Sequence, residues 1–164
     1  RSELDFSLEE FRTVNIGRSR HRGVEAGITM HACECSRVFA TYTHQGATSR
    51  TGDNFGMQLK AIPRNTFMFG AAGHFRGGVR ASVVVRSTRD IYLDDANTLT
   101  LPNYTVVDAK LAYRLRAVDI AVDAYNLLDE SYSTTGFPDT SGSDVIYFYP
   151  AAERVVRFTT SVRL

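Results

Sequence analysis

The sequence predicts an all-β fold: an antiparallel up-and-down meander of about eight strands that crosses a membrane as β-barrel wall. Three observations carry this reading. Apolar and polar residues alternate with period two along much of the chain, and no stretch sustains a capped 3.6-residue apolar period. Tight and long connections alternate. Short turns fall near Cys33–Ser36, Arg76–Gly78 and Arg116–Ala117, and long polar segments near Gln45–Asn65, Tyr92–Asn103 and Ser131–Glu153. Every tight turn then lies on one rim of the sheet and every long loop on the other, as in outer-membrane barrels. Finally, the central strands run to about 9–12 residues, the length a tilted strand needs to cross a bilayer.

The expected strands, in order, are Ser2–Leu8, Ser19–His31, Arg37–His44, Thr66–Phe75, Val79–Ile91, Tyr104–Leu115, Val118–Leu127 and Arg154–Leu164. In the second, Val24, Ala26, Ile28 and Met30 share one face, opposite Glu25, Gly27, Thr29 and His31. In the fifth, Val79, Ala81, Val83 and Val85 oppose Arg80, Ser82, Val84 and Arg86. The last strand is the clearest: Val156, Phe158, Thr160, Val162 and Leu164 on one face, Arg157, Thr159, Ser161 and Arg163 on the other.

Register is also legible. A two-residue turn at Arg116–Ala117 sets Leu115 opposite Val118, Tyr113 opposite Ile120, Leu111 opposite Val122 and Ala109 opposite Ala124. The other face then pairs Arg114 with Asp119 and Lys110 with Asp123, both opposite charges. A slip of one residue would drive those charges among apolar side chains. Arg-Ala is not a favoured pair for the tight primed turns. At Arg76-Gly77-Gly78 a three-residue loop with glycine pairs Phe75 with Val79, Gly73 with Ala81, Ala71 with Val83 and Phe69 with Val85, leaving His74 facing Arg80.

Alternation does not say which face points inward. A soluble ligand carrier would bury the apolar face; a membrane barrel turns it to lipid. Strand length, turn asymmetry and the facing charges favour lipid. A self-contained eight-strand outer-membrane barrel with a structural or adhesive role is the third possibility.

Composition narrows the function. The 164 residues carry a formal net charge of +1, so a bulk electrostatic grip on nucleic acid is not expected. No run is long and apolar enough for a membrane helix. Arg1 leads straight into Ser2–Ser7, which reads as a fragment or a mature piece cut from a longer precursor. Cys33 and Cys35 are too close in sequence to suggest a disulfide and lack metal-ligating neighbours, so two unpaired turn thiols are expected. His21, His31, His44 and His74 show no metal spacing, and no nucleophile elbow or phosphate loop occurs. The expectation is a protein that is not an enzyme, with no cofactor and no metal site.

Several segments resemble one family. Asn15-Ile16-Gly17 followed by Arg22-Gly23-Val24-Glu25 resembles the start of a barrel strand in TonB-dependent outer-membrane receptors. Leu59-Lys60-Ala61-Ile62-Pro63 is similar to that family's loop-to-strand segment, and Asp94-Asp95-Ala96-Asn97 with Leu101-Pro102-Asn103-Tyr104 and Asp108 to its next. Tyr125-Asn126-Leu127-Leu128-Asp129-Glu130-Ser131-Tyr132 is the most specific match, and Tyr149-Pro150-Ala151-Ala152-Glu153-Arg154 resembles the opening of the closing strand. They follow in family order over nearly the whole chain. Leu164 stands where such barrels often end in an aromatic residue.

The resemblance implies that residues 1–164 are roughly the C-terminal third of a barrel of about 22 strands with a plugged lumen. The plug domain and the earlier strands are absent. It further implies TonB-dependent uptake of a scarce nutrient such as an iron–siderophore complex in the bacterial outer membrane. The expected partners are outer-membrane lipid, the plug and remaining strands of the same protein, the TonB complex through that plug, and a small-molecule or metal-chelate ligand.

Candidate ligand-facing loop residues are Tyr92, Asp94, Asp95, Tyr132, Phe137, Asp139, Asp144 and Tyr147, with Tyr149 beside them. The aromatics also suit an interface girdle, and the acids also suit plain solvation. Glu25, Arg80, Arg86, Asp108, Lys110, Arg114, Asp119, Asp123 and Arg157 are expected to line the lumen, paired with each other, water, the plug or substrate. Phe158, Thr160, Val162 and Leu164 form the lipid-facing row of the C-terminal strand.

Overall fold

A computed structural model describes residues 2–7, 12–139 and 145–163. The strands are β1 (Ser2–Ser7), β2 (Arg12–Cys33), β3 (Ser36–Ser49), β4 (Asn65–His74), β5 (Val79–Arg89), β6 (Ile91–Tyr92), β7 (Thr100–Leu101), β8 (Tyr104–Leu115), β9 (Val118–Tyr125), β10 (Ser133–Pro138), β11 (Ile146–Pro150) and β12 (Val155–Val162). One antiparallel sheet holds eight of them in the order β1-β2-β3-β4-β5-β8-β9-β12. The pairs β6–β7 and β10–β11 are small separate hairpins inside the long connections.

The register follows the charge pattern. Leu115 pairs with Val118, Leu111 with Val122, Lys110 with Asp123 and Arg114 with Asp119. Across the glycine turn, Gly73 meets Ala81, Phe69 meets Val85 and His74 meets Arg80. Gly77 takes φ 79 there, a left-handed position that glycine adopts without a Cβ clash. Arg116 takes φ 53, so the unfavoured Arg-Ala turn is made by forcing a side-chain-bearing residue into that region.

Boundaries depart from expectation where the polar segments begin. β2 runs 22 residues, well beyond Ser19–His31, because Arg12–Arg18 pairs with β1 while Ser19 onward pairs with β3. At about 3.3 Å per residue it is far longer than a strand needs to cross the roughly 30 Å hydrocarbon core of a bilayer. β3 continues to Ser49, through residues assigned from sequence to a loop. Gln45–Ser49 carries no apolar alternation that would mark it as strand. β5 stops at Arg89, because Asp90 turns the chain with φ 60.

Cys33 and Cys35 are disulfide-bonded, correcting the expectation of two free thiols; their Cα atoms lie 5.1 Å apart. The register shifts between His31 and Cys33 as the chain turns from β2 to β3, which brings both sulfurs to the same side of the turn.

Among the described residues the sheet buries few apolar side chains, Ala47, Val106 and Ala112. Leu111 is 56% and Phe158 76% exposed, and Val24, Ile28, Met30, Phe69, Leu115, Ile120 and Val162 are exposed beside them on the same face. Tyr42 and Phe67 stack on this face with centroids 4.7 Å apart near the long-loop end, and Phe75 and Tyr113 stand exposed near the short turns. An apolar band between two aromatic rows is how a barrel meets lipid. On the opposite face Phe39 lies over Gly70, so closely that a Cβ there would sit 2.4 Å from the ring. The buried apolar cluster lies in the loops: Ile91, Leu93 and Leu101, with Leu99, Tyr104 and Ile146 against it.

Candidate functional site: a charged wall and its loop rim

The polar face carries three charged rungs, stepping along β8 from the loop rim to the short turns. At the first, Arg86 donates to Asp108. At the second, Asp123 receives Lys110 at 2.9 Å and Arg157 at 3.7 Å. At the third, Asp119 receives Arg80 at 2.6 Å, Arg114 at 3.0 Å and Arg163 at 3.8 Å. Arg80 reaches Asp119 across the whole width of β8, which requires all three side chains to project from one face. Asp123 keeps only 8% of its side-chain surface. Arg157 also donates to the Tyr125 hydroxyl at 2.6 Å. Eight of the nine residues expected in the lumen therefore interlock; Glu25, on β2, stays exposed outside the network.

Arg163 belongs to the third rung and was missing from the sequence-derived set. Its signal was available: it continues the period-two row from Arg157 through Ser161.

The network allows a sharp test of register. Lys110→Asp should destabilise the sheet, and adding Asp123→Lys should recover part of the loss in denaturant unfolding. Independent effects of the two changes would refute the pairing.

At the rim, Asn126 is 3% exposed with φ 49. Its side-chain amide donates to the Glu130 carbonyl (2.9 Å) and the Ala152 carbonyl (3.3 Å) and accepts from the Glu130 N–H (2.9 Å). Its own N–H donates to Asp108 at 3.0 Å. Asp129 accepts the Arg154 N–H at 3.0 Å. The family-like residues Asn126, Asp129 and Arg154 thus form one clamp joining the ends of β8 and β9 to the start of β12.

The loop residues separate into distinct groups. Asp94 turns into its own loop, accepting from Thr98 Oγ1 (2.8 Å), the Thr98 N–H (3.1 Å) and the Leu99 N–H (2.8 Å). Asp95 pairs with Lys60 at 3.4 Å. Tyr92 is half-buried in β6. Tyr132 packs on Tyr104 with centroids 4.5 Å apart, and Phe137 packs on Tyr147 (5.5 Å) and Tyr149 (5.8 Å) across the β10–β11 hairpin. Asp139 bonds through its N–H to the Val145 carbonyl at 2.9 Å. Asp144 and Leu164 lie outside the described residues. Among the described residues no group of three or more His, Cys, Asp or Glu side chains is placed to hold a metal.

Partial burial pushes the Asp94 carboxyl up, but the donors at Leu99 and Thr98 outweigh it and hold it below its ordinary value. The turn is therefore fully supported above the unfolded aspartate value of about 3.9 and loses that support as pH falls through the lower folded value. The protection factor of the Leu99 amide, its exchange rate corrected for the intrinsic pH dependence, should fall only in that acid range, and Asp94→Ala should abolish that fall. A Leu99 transition near neutrality would contradict it.

The exposed apolar face, the paired polar face and the rim asymmetry define a membrane β-barrel wall. A soluble carrier, with the same apolar residues gathered into a closed interior, is not what these strands form. Nor is a closed eight-strand barrel: β1 and β12 are opposite edges of an open sheet.

The chain belongs to the TonB dependent receptor-like, beta-barrel family, whose model matches residues 2–127. It is 29% identical over 160 residues to the ferrichrome outer membrane transporter/phage receptor of Escherichia coli (strain K12), covering 92% of this chain. It is 24% identical over 153 residues to the ferrioxamine B receptor of Salmonella typhimurium (strain SL1344), covering 87% of this chain. The chain spans 21% of the length of each of these relatives. Among solved structures, the ferric yersiniabactin uptake receptor FyuA from Yersinia pestis superposes with a TM-score of 0.80 at 20% identity, over 92% of this chain and 24% of that one. The ferric-catecholate import receptor Fiu from E. coli K12 does so at 0.71 and 23% identity, over 97% of this chain and 23% of that one.

Proposed function

We propose that this chain is barrel wall of an outer-membrane receptor that takes up a scarce small-molecule nutrient, a metal chelate such as an iron–siderophore complex. Energy would reach it from the TonB complex through a plug domain held by the same protein. The observation that most supports the reading is the two-faced sheet, apolar and exposed on one side, laddered with cation–carboxylate pairs on the other. The curated relatives, named as a ferrichrome transporter and a ferrioxamine B receptor, point to ferric chelates as cargo. In this reading the wall's apolar face touches lipid, its edges join the remaining strands, and the rim around Tyr92, Asp94, Asp95, Tyr132, Phe137, Asp139 and Tyr147 borders the route by which ligand enters. The test is uptake of radioiron from ferrichrome and ferrioxamine B by cells with and without the gene, in TonB-competent and TonB-deficient backgrounds. Uptake of at least one should require both. If it is indifferent to the gene for every ferric chelate offered, the reading fails.

A further inference from the structure

The turn from β2 to β3 carries a cross-link that the fold does little to need. Cys33 and Cys35 are two positions apart, both exposed, and their disulfide encloses Glu34 alone. A cross-link stabilises a fold mainly by restricting the unfolded chain, and that effect shrinks with the loop it closes. Here the loop is about as short as a loop can be. The ladder from Ser19–Ser49 to His31–Arg37 already sets the register of the two strands. Folding therefore contributes little to keeping the bond oxidised, and exposed disulfides are the ones open to exchange. The two sulfurs also differ. Cys33 Sγ accepts the Ser36 hydroxyl at 3.2 Å, and a donor in that place stabilises a departing thiolate. The ring, the ladder and the Ser36 contact are all internal to the β2–β3 hairpin, so they are the same whatever strands or plug complete the barrel.

We propose that Cys33–Cys35 is a redox-active pair that exchanges two electrons with a dithiol of the compartment it faces, and is not a brace of the fold. A thiolate of the dithiol attacks Cys35 Sγ, forming a mixed disulfide as the Cys33–Cys35 bond breaks. Cys33 Sγ leaves as a thiolate beside the Ser36 hydroxyl and takes up a proton. The second thiol of the reductant, deprotonated, then attacks the reductant's own sulfur in the mixed disulfide. Cys35 is released and protonated in turn. The reductant ends as a disulfide and the turn as two thiols, with two electrons and two protons passed. Short turns of outer-membrane barrels face the periplasm, which names the compartment. The inference is independent of the cargo and of which face of the sheet meets lipid.

The probe is dithiothreitol, applied without denaturant to the intact purified receptor in detergent micelles. Free thiols are trapped with iodoacetamide and located by peptide mapping. Cys33 and Cys35 should both become alkylated while the circular dichroism stays that of the folded barrel. Transfer into glutathione disulfide should then restore the bond with no refolding step. Ser36→Ala should slow the reduction by about two- to tenfold, the equivalent of one hydrogen bond, and Ser36→Thr, which keeps the hydroxyl, should return it to the wild-type rate. Should Ser36→Ala fail to fold, the wild-type receptor decides alone. A bond that yields only once denaturant is added is a structural brace and overturns the proposal. So does a reduction that collapses the circular dichroism, a bond that does not return, or a rate indifferent to Ser36→Ala.

Discussion

Asn126→Ala is expected to lower stability by about 3 kcal/mol, the largest single loss from any rim residue. Two causes add. Alanine at φ 49 meets the steric penalty of the left-handed region, on the order of 1 kcal/mol, which asparagine tolerates better. Loss of the side-chain amide also removes its hydrogen bonds to the Glu130 N–H and to the Glu130 and Ala152 carbonyls, together about 2 kcal/mol at roughly 0.5–1.5 kcal/mol net per bond. Asn126→Gly separates the terms, since glycine removes the steric cost and keeps the hydrogen-bond loss. Denaturant midpoints of the intact receptor in lipid vesicles, followed by circular dichroism, should therefore order wild type above Gly above Ala. An unchanged midpoint for Ala would mean that the clamp does not hold β12 in place.

Phe158→Arg is expected to cost about 2–4 kcal/mol if Phe158 sits near the bilayer midplane, the range for a basic residue on the lipid face of a barrel. Phe158 projects from the same face as Val122, its partner on β9. Its sequence neighbour Thr159 pairs with Ala121 and lies on the charged face, between the rows of Arg157–Asp123 and Ser161–Asp119. Thr159→Arg should therefore fold and insert with a loss of no more than about 1 kcal/mol, as expected where the side chain meets water. Adjacent residues with opposite tolerance are the signature of a two-sided membrane strand. Equal costs at the two positions would contradict it.

Most of the sheet was legible because two constraints act at once within the membrane. Lipid demands an apolar residue at every second position, and the wet face pairs opposite charges across neighbouring strands. Lys110–Asp123 and Arg114–Asp119 consequently make the β8–β9 register legible in the sequence. Above the lipid the first constraint lapses. The ladder through Gln45–Ser49 carries no alternation, and Arg12–Arg18 alternates only at Val14 and Ile16, too short a run to mark a strand. The Cys33–Cys35 bond was missed for a different reason: sequence separation describes an extended chain, whereas the turn brings the Cα atoms to 5.1 Å. Of the candidate site, the charged rungs were foreseen as facing pairs within hairpins. Their three-strand connectivity was not, because Arg80 and Asp119 are 39 positions apart and meet only through the order β5-β8-β9. The Asp94 carboxylate, a candidate for ligand contact by its exposed-loop sequence, bonds instead within its own turn.

The account depends on which face of the sheet touches lipid, and site-directed quenching measures that directly. Single cysteines replacing Leu111, Phe158, Lys110 and Arg157 in the Cys33→Ser, Cys35→Ser background would each carry a bimane label, with the intact receptor in vesicles. Labels at Leu111 and Phe158 should be quenched by brominated acyl chains and spared by aqueous iodide, and those at Lys110 and Arg157 should show the reverse. Iodide quenching at Leu111 and Phe158, with bromolipid silent at all four positions, would contradict the account.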